Sequence, residues 1–206
     1  MLRHITEVKS QTLSPEGYIE DFWPYFRELK DTFWKLEAGQ TFREPGDPSW
    51  RALSVGDWAE AVRLIDERRD EIQEPVSEAR GFTMRRVRIV ERPYTAYVQW
   101  ELYYIRLRAL AGEDIRVLES DALPGLGVSY RLPELVILDS DVMYEVLYTR
   151  AGTLSGARKI VDPALIDSCR HEVERLFDEG QELISYLNTE RAVLPPPLQQ
   201  SRAPIA

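Results

Sequence analysis

Arg86 and Arg88 stand two residues apart in the run MRRVRIV. Residues at that spacing project from one face of an extended strand, so the pair could grip a carboxylate or phosphate through their forked donors. Glu101 follows in WELYYI, a carboxylate within an aromatic and aliphatic stretch, with Tyr97, Trp100, Tyr103 and Tyr104 around it. Glu113 and Arg116 lie close by in AGEDIR. Three uses suit these residues. Arg86, Arg88, Tyr97, Trp100, Glu101, Glu113 and Arg116 could line a site for a small acidic ligand or a protein partner. Glu101 or Glu113 could instead act as general acid or base beside arginine clamps in a small tailoring enzyme. The third use needs no ligand, because Arg–Glu pairs can simply join a helix to a strand.

Other constellations fail on inventory. The histidines are His4 and His171 and the cysteine is Cys169. Two positions apart on a helix means roughly opposite faces, so Cys169 and His171 do not form a nucleophile and base. A core thiol and a solvated imidazole are expected. These counts exclude zinc and iron sites built on Cys and His clusters, and no cofactor is expected, while carboxylate sites for magnesium or calcium stay open. There is no phosphate loop, dinucleotide fingerprint or serine elbow. Asp139 ends the apolar run LVIL, a position from which it could reach a site at the carboxyl edge of a sheet. In LDSD it reads more simply as a turn residue bonding its own backbone.

Composition sets the frame for these residues. A chain of 206 residues that is 44% hydrophobic can bury one sizeable core. A net charge of -9 works against a phosphate-binding surface, so direct nucleic-acid binding is not expected. A lone cysteine excludes an internal disulfide, and no segment has the pattern of a signal peptide or a bilayer-spanning run. A cytoplasmic protein with no membrane role is the expectation.

The elements follow from periodicity. Tyr18, Phe22, Tyr25, Phe26, Leu29, Phe33 and Leu36 recur at helical spacing and predict a first helix over about 22–37, closed by Gly39. Thr41 to Trp50 reads as a surface loop with Trp50 turned inward. Ser54 or Asp57 caps a second helix with Trp58, Val62, Ile65 and Ile72 on one face, ending near Gln73. Val87 and Ile89 alternate with the arginines as a strand. Pro93 opens a helix to about Leu110 with Gly112 behind it, and 115–118 forms the next strand. LPGLG at 123–127 is a turn, and 135–138 and 144–149 are two more strands joined at Asp139–Asp141. Asp162 and Pro163 start a last helix running to about Leu187.

The expected fold is mixed α/β, with an α+β arrangement also compatible. It has a central sheet of about four strands flanked by helices and an N-terminal helical pair. Residues 1–80 form the helical region and 81–190 the sheet region of one globular unit, and 191–206 a disordered proline-rich tail.

The segments FWKLEAGQTFREPGDPSWRALSVGDW, RRVRIVERPYTAYVQWEL and AGEDIRVL resemble an actinobacterial family, domain of unknown function 6879, over roughly residues 30–185. In that family an arginine strand, a Tyr-x-x-Trp-Glu helix and an Ala-Gly-Glu-Asp-Ile-Arg turn recur in this order. The resemblance implies a regulatory or accessory role beside helix-turn-helix regulators and no defined chemistry. LPELVILDSD stands where the family tends to carry an aromatic Asp-Phe-Trp-like strand. At fold level alone, the order also resembles non-catalytic phospholipase-D-like modules. The histidine-x-lysine element of the catalytic forms is absent, since Ile5 and Thr6 follow His4.

Overall fold

The computed structural model describes residues 1–79 and 81–189, so the tail expected to be disordered lies outside the described residues. In chain order the elements are β1 (Gln11–Leu13), α1 (Pro15–Arg27), β2 (Thr32–Glu37), α2 (Pro48–Ser54), α3 (Trp58–Glu67), α4 (Arg69–Ser77), β3 (Thr83–Val90), α5 (Ala96–Leu110) and β4 (Asp114–Glu119). Then come β5 (Leu135–Leu138), β6 (Val142–Tyr148), β7 (Leu154–Ile160), α6 (Pro163–Glu179), β8 (Gln181–Glu182) and α7 (Leu183–Leu187). The strands form one sheet in the order β1-β7-β6-β5-β2-β3-β4-β8. β2, β3 and β4 run parallel at its centre and the other pairings are antiparallel.

The mixed α/β class holds, but the sheet has eight strands rather than about four. All four expected strands exist as β3, β4, β5 and β6. The largest correction concerns β2. The expected helix over 22–37 ends at Arg27, and Phe33 and Leu36 lie on a strand. Asp139 explains the break: its carboxylate accepts hydrogen bonds from the backbone N–H of Lys30, Asp31 and Thr32 at 2.9, 3.1 and 2.7 Å, donors that a continuing helix would have turned back on itself. Asp139 thus sits in a turn, with φ at 50°, yet it caps a neighbouring strand instead of its own backbone.

The second expected helix is two helices, α3 capped by Asp57 and α4, preceded by α2 where a loop was expected. Asp47 caps α2 through Ser49 and Trp50, with Pro48 in its first turn. LPGLG is the end of a short 3-10 helix, Ser120–Leu126, with Gly127 left-handed behind it. The last helix stops at Glu179, where the chain extends into β8 before α7.

The sheet is covered on both faces. On one, Trp34, Leu36, Val87, Ile89, Leu135 and Ile137 pack against Ile166, Cys169, Val173, Leu176 and Phe177 of α6. Burial there pushes the Cys169 thiol up to about 11, while His171 points to solvent beside Asp167, so the pair is separated as expected.

Two helical groups share the other face. α1 covers the β5–β7 side through Tyr18, Phe22, Phe26, Val136, Tyr144 and Ala157. α5, backed by α2–α4 and α7, covers the β3–β4 side through Tyr97, Trp100, Ile105, Ile115 and Val117. Asp21 pins α1 down by accepting from Tyr144 Oη at 2.7 Å and from Lys159 Nζ at 2.8 Å. β1 joins the edge at β7 because Gly156, with φ at 120°, has no side chain; a Cβ there would stand 2.1 Å from the Leu13 carbonyl oxygen.

Candidate functional site

Strand alternation sends Val87 and Ile89 into the α6 core and Arg86 and Arg88 to the opposite face, beneath α5. Arg88 is 0% exposed. Its Nε donates to Glu101 at 2.5 Å, and its terminal nitrogens donate to the carbonyls of Gly39 at 2.8 Å, Ile89 at 2.7 Å and Glu37 at 3.3 Å. Arg88 is therefore a joint between strand and helix, with its donors already engaged.

Arg86 belongs to a longer relay. Its Nη1 donates to Glu37 and its Nε to Glu113, both at 2.7 Å. The second oxygen of Glu37 pairs with Lys35 Nζ at 2.6 Å, and the second oxygen of Glu113 accepts from Arg108 Nε. The order Lys35, Glu37, Arg86, Glu113, Arg108 thus crosses from β2 over β3 to the start of β4 and up to α5. The two terminal nitrogens of Arg108 make no hydrogen bond to any described residue.

The same neighbours set the acidities. Burial would raise the Glu37 and Glu113 carboxyls, but the adjoining cations win and hold both below the ordinary carboxylate range. At Glu101 burial is the larger influence, aided by the charge on Glu37, and its carboxyl lies above that range despite Arg88.

A gap between the α1 and α5 groups leaves two adjoining compartments over this relay. The polar one, about 240 Å³, is lined by Lys35, Glu37, Arg86, Glu101, Arg108 and their aromatic neighbours Tyr97, Trp100 and Tyr104. The apolar one, about 360 Å³, is walled by Tyr18, Phe22, Trp23, Phe26, Phe33 and Tyr148. Lys35, Glu44, Arg86 and Arg108 border both. Asp47 holds the far wall: it accepts from Ser49 Oγ at 2.5 Å and pairs with Arg68 at 2.7 Å, while Trp100 Nε1 donates to Ser49 Oγ at 3.0 Å.

Of the residues singled out by sequence, Arg86, Tyr97, Trp100 and Glu101 border the cavity. Arg88 and Glu113 lie behind its wall as supports. Arg116 is on the other side of the sheet. It stands opposite Val87 in the β3–β4 register, lies 5.1 Å from the Phe177 ring centre and pairs with Asp114. Lys35, Glu37, Glu44 and Arg108 were missed. Reading 32–37 as helix hid the shared face of Phe33, Lys35 and Glu37, although the run Thr-Phe-Trp favours a strand.

Two carboxyls are pushed up to about 7: Glu44, and Glu134, which accepts from the backbone N–H of Ala38 at 3.1 Å and Gly39 at 2.7 Å. Burial is the main cause in both. A carboxyl raised on folding contributes stability that is present below the unfolded value of about 4.3 and lost as pH rises through the folded one. The thermal midpoint is thus expected to fall between about pH 5 and pH 8, and Glu134→Gln to flatten that fall. A midpoint that climbs across this window would sink the expectation. Glu37 and Glu113, shifted the other way, lose their contribution only below the ordinary range.

Among the described residues, no group of three or more His, Cys, Asp or Glu side chains is placed to hold a metal, and no helix is long and apolar enough to cross a membrane. No curated protein matches the chain. Two solved structures resemble it in outline, each at 10% identity. One is TrmBL2, an archaeal chromatin protein whose structure is described as showing a novel mode of DNA binding; the match has a TM-score of 0.43 and covers 85% of this chain and 55% of that one. The chain therefore spans only about half the length of TrmBL2. The other is NucT from Helicobacter pylori, with a TM-score of 0.47, covering 84% of this chain and 98% of that one. Likeness at this level leaves the chemistry of the cavity to its own residues. The sequence model of one family matches residues 20–188, most of the chain, and on that match the protein belongs to the family described as domain of unknown function DUF6879.

Proposed function

We propose that the protein is a ligand-binding accessory protein whose ligand is a small amphipathic acid. The reading is carried by the border between the two compartments, where the free terminal nitrogens of Arg108 and the partly engaged Lys35 meet an aromatic cleft. An acidic head group would sit on those donors and its apolar tail between Phe22, Phe26, Phe33 and Tyr148. The regulatory setting, with occupancy of the cavity signalled to a protein partner such as a helix-turn-helix regulator, rests on the family resemblance. Acid–base catalysis by Glu101 or Glu113 is the weaker reading. Both carboxylates are held by arginines, and the side chain of Glu113 is 0% exposed.

Phenylvalerate and its amine counterpart, phenylpentylamine, share a tail and differ in head-group charge. Calorimetric titration is expected to show binding of the acid only, weakened at least about tenfold by Lys35→Met, since a hydrogen bond to a charged group contributes about 1.5–3 kcal/mol. Equal affinity for the amine, or acid binding indifferent to Lys35→Met, would overturn the reading.

A further inference from the structure

Among the described residues, Glu44 is the one carboxylate bordering both compartments, and it takes part in no ion pair there. It lies between β2 and α2, partly buried; its backbone carbonyl accepts from the Asp47 N–H at 2.9 Å, but its carboxylate accepts no hydrogen bond from any described residue. The ionisable groups around it come from every surrounding element: Lys35 and Glu37 of β2, Arg86 of β3, Tyr97, Glu101, Tyr104 and Arg108 of α5. Arg43 and Asp47 flank it in sequence, and Tyr18 of α1 and Tyr148 of β6 close the apolar side.

Charge balance then singles it out. Arg88 is answered by Glu101, and Asp47 by Arg68, which also pairs with the solvent-exposed Glu71 outside the cavity. Lys35, Arg86 and Arg108 share two carboxylates, Glu37 and Glu113, which leaves one positive charge over. Arg43 is exposed at the mouth. Ionised Glu44 cancels the excess. An incoming acid brings a second negative charge to a place that can balance only one.

We propose that Glu44 shares one proton with the carboxylate head of the bound acid, and so selects acids and couples their uptake to a proton. The inference rests on the ligand reading above. The acid takes over as counter-ion to Lys35 and Arg108, Glu44 binds one proton from solvent, and its O–H donates to the ligand's carboxylate. The O–H bond formed on Glu44 replaces the one broken in the solvent or buffer acid that gives up the proton, and no other covalent bond changes. Burial and the charges of Glu101, Glu37 and Asp47 already bring Glu44 to about 7, so this proton costs little at neutral pH.

The test is calorimetric titration of the full chain with phenylvalerate at pH 6, 7 and 8, in two buffers that differ in ionisation enthalpy. The phenylvalerate carboxyl stays ionised throughout, so any linked proton belongs to the protein. Wild type should take up close to one proton per acid at pH 8 and little at pH 6, with affinity falling roughly tenfold between them. Glu44→Gln, which keeps a donor in place, should bind with the same affinity at all three values. Acid binding without proton uptake, or a pH slope that persists in Glu44→Gln, would overturn the role of Glu44 alone. No binding at any pH would overturn the ligand reading beneath it. The wild-type proton count decides the question even if the variant does not fold.

Discussion

Arg88→Ala is expected to destabilise the protein by about 3–5 kcal/mol, the cost of removing one partner from a buried ion pair. That is a large share of the roughly 5–15 kcal/mol by which a domain of ordinary size is stable. The cost comes from what is left behind. Glu101, 4% exposed, would lose its guanidinium and retain only the Tyr97 hydroxyl at 3.3 Å, the Gly39 carbonyl would lose its donor, and the Ile89 carbonyl would keep only Gln40 Nε2. Arg88→Lys should recover little, because one ammonium cannot span a carboxylate and three carbonyls as the planar fork does. The double change Arg88→Met with Glu101→Leu should be far milder, since both buried charges then disappear together. Urea denaturation of the three variants checks this. A loss below about 1 kcal/mol in Arg88→Ala would show that the pair contributes no more than an exposed salt bridge.

Glu113→Ala should be comparably costly, at about 3–5 kcal/mol. Its carboxylate is shared between Arg86 and Arg108, so its removal leaves two guanidiniums facing each other across the space it filled. Glu113→Gln keeps the volume but not the charge, and separates stability from binding. If it folds, the cavity gains one unit of positive charge, and phenylvalerate should raise its thermal midpoint by more than it raises that of wild type. A smaller ligand-induced rise in Glu113→Gln would count against the acid-binding reading.

How much of this could be read in the chain depends on whether a pattern reports local or distant partners. The alternation of Val87 and Ile89 with Arg86 and Arg88 is local, and it placed β3, its two faces and the arginine–glutamate joint correctly. The cap of α6 at Asp162 and the turn at Asp139–Asp141 are legible for the same reason. β2 was not, because Phe33 and Leu36 happen to continue the helical spacing of Phe22, Tyr25 and Phe26. What ends the helix is Asp139, more than a hundred residues away. β7 was missed because Gly156, Arg158 and Lys159 interrupt its apolar pattern. Each answers to a distant partner: Leu13, Glu145 and Asp21. The cavity shared this fate, since Lys35, Glu44 and Arg108 converge only once strands far apart in sequence are neighbours. Arg116 was the opposite error: near in sequence to the site, it lies across the sheet from it.

The fastening of α1 sets when the cleft can exist. The strand pairing, hydrogen bonds and ion pair that fasten β1 and α1 to the sheet join residues 11–21 to residues 144–159: β1 to β7, and Asp21 to Tyr144 and Lys159. Pairings so remote form late, after the contacts that cost less chain entropy. On the ribosome the chain emerges from its N-terminus, so α1 must wait for its anchors until most of the sheet has been made. A nascent chain ending before β7 would hold the arginine relay but lack one wall of the aromatic cleft. Ligand binding would then mark a finished chain, and a bound acid would selectively protect the form in which the first and last thirds of the protein have met.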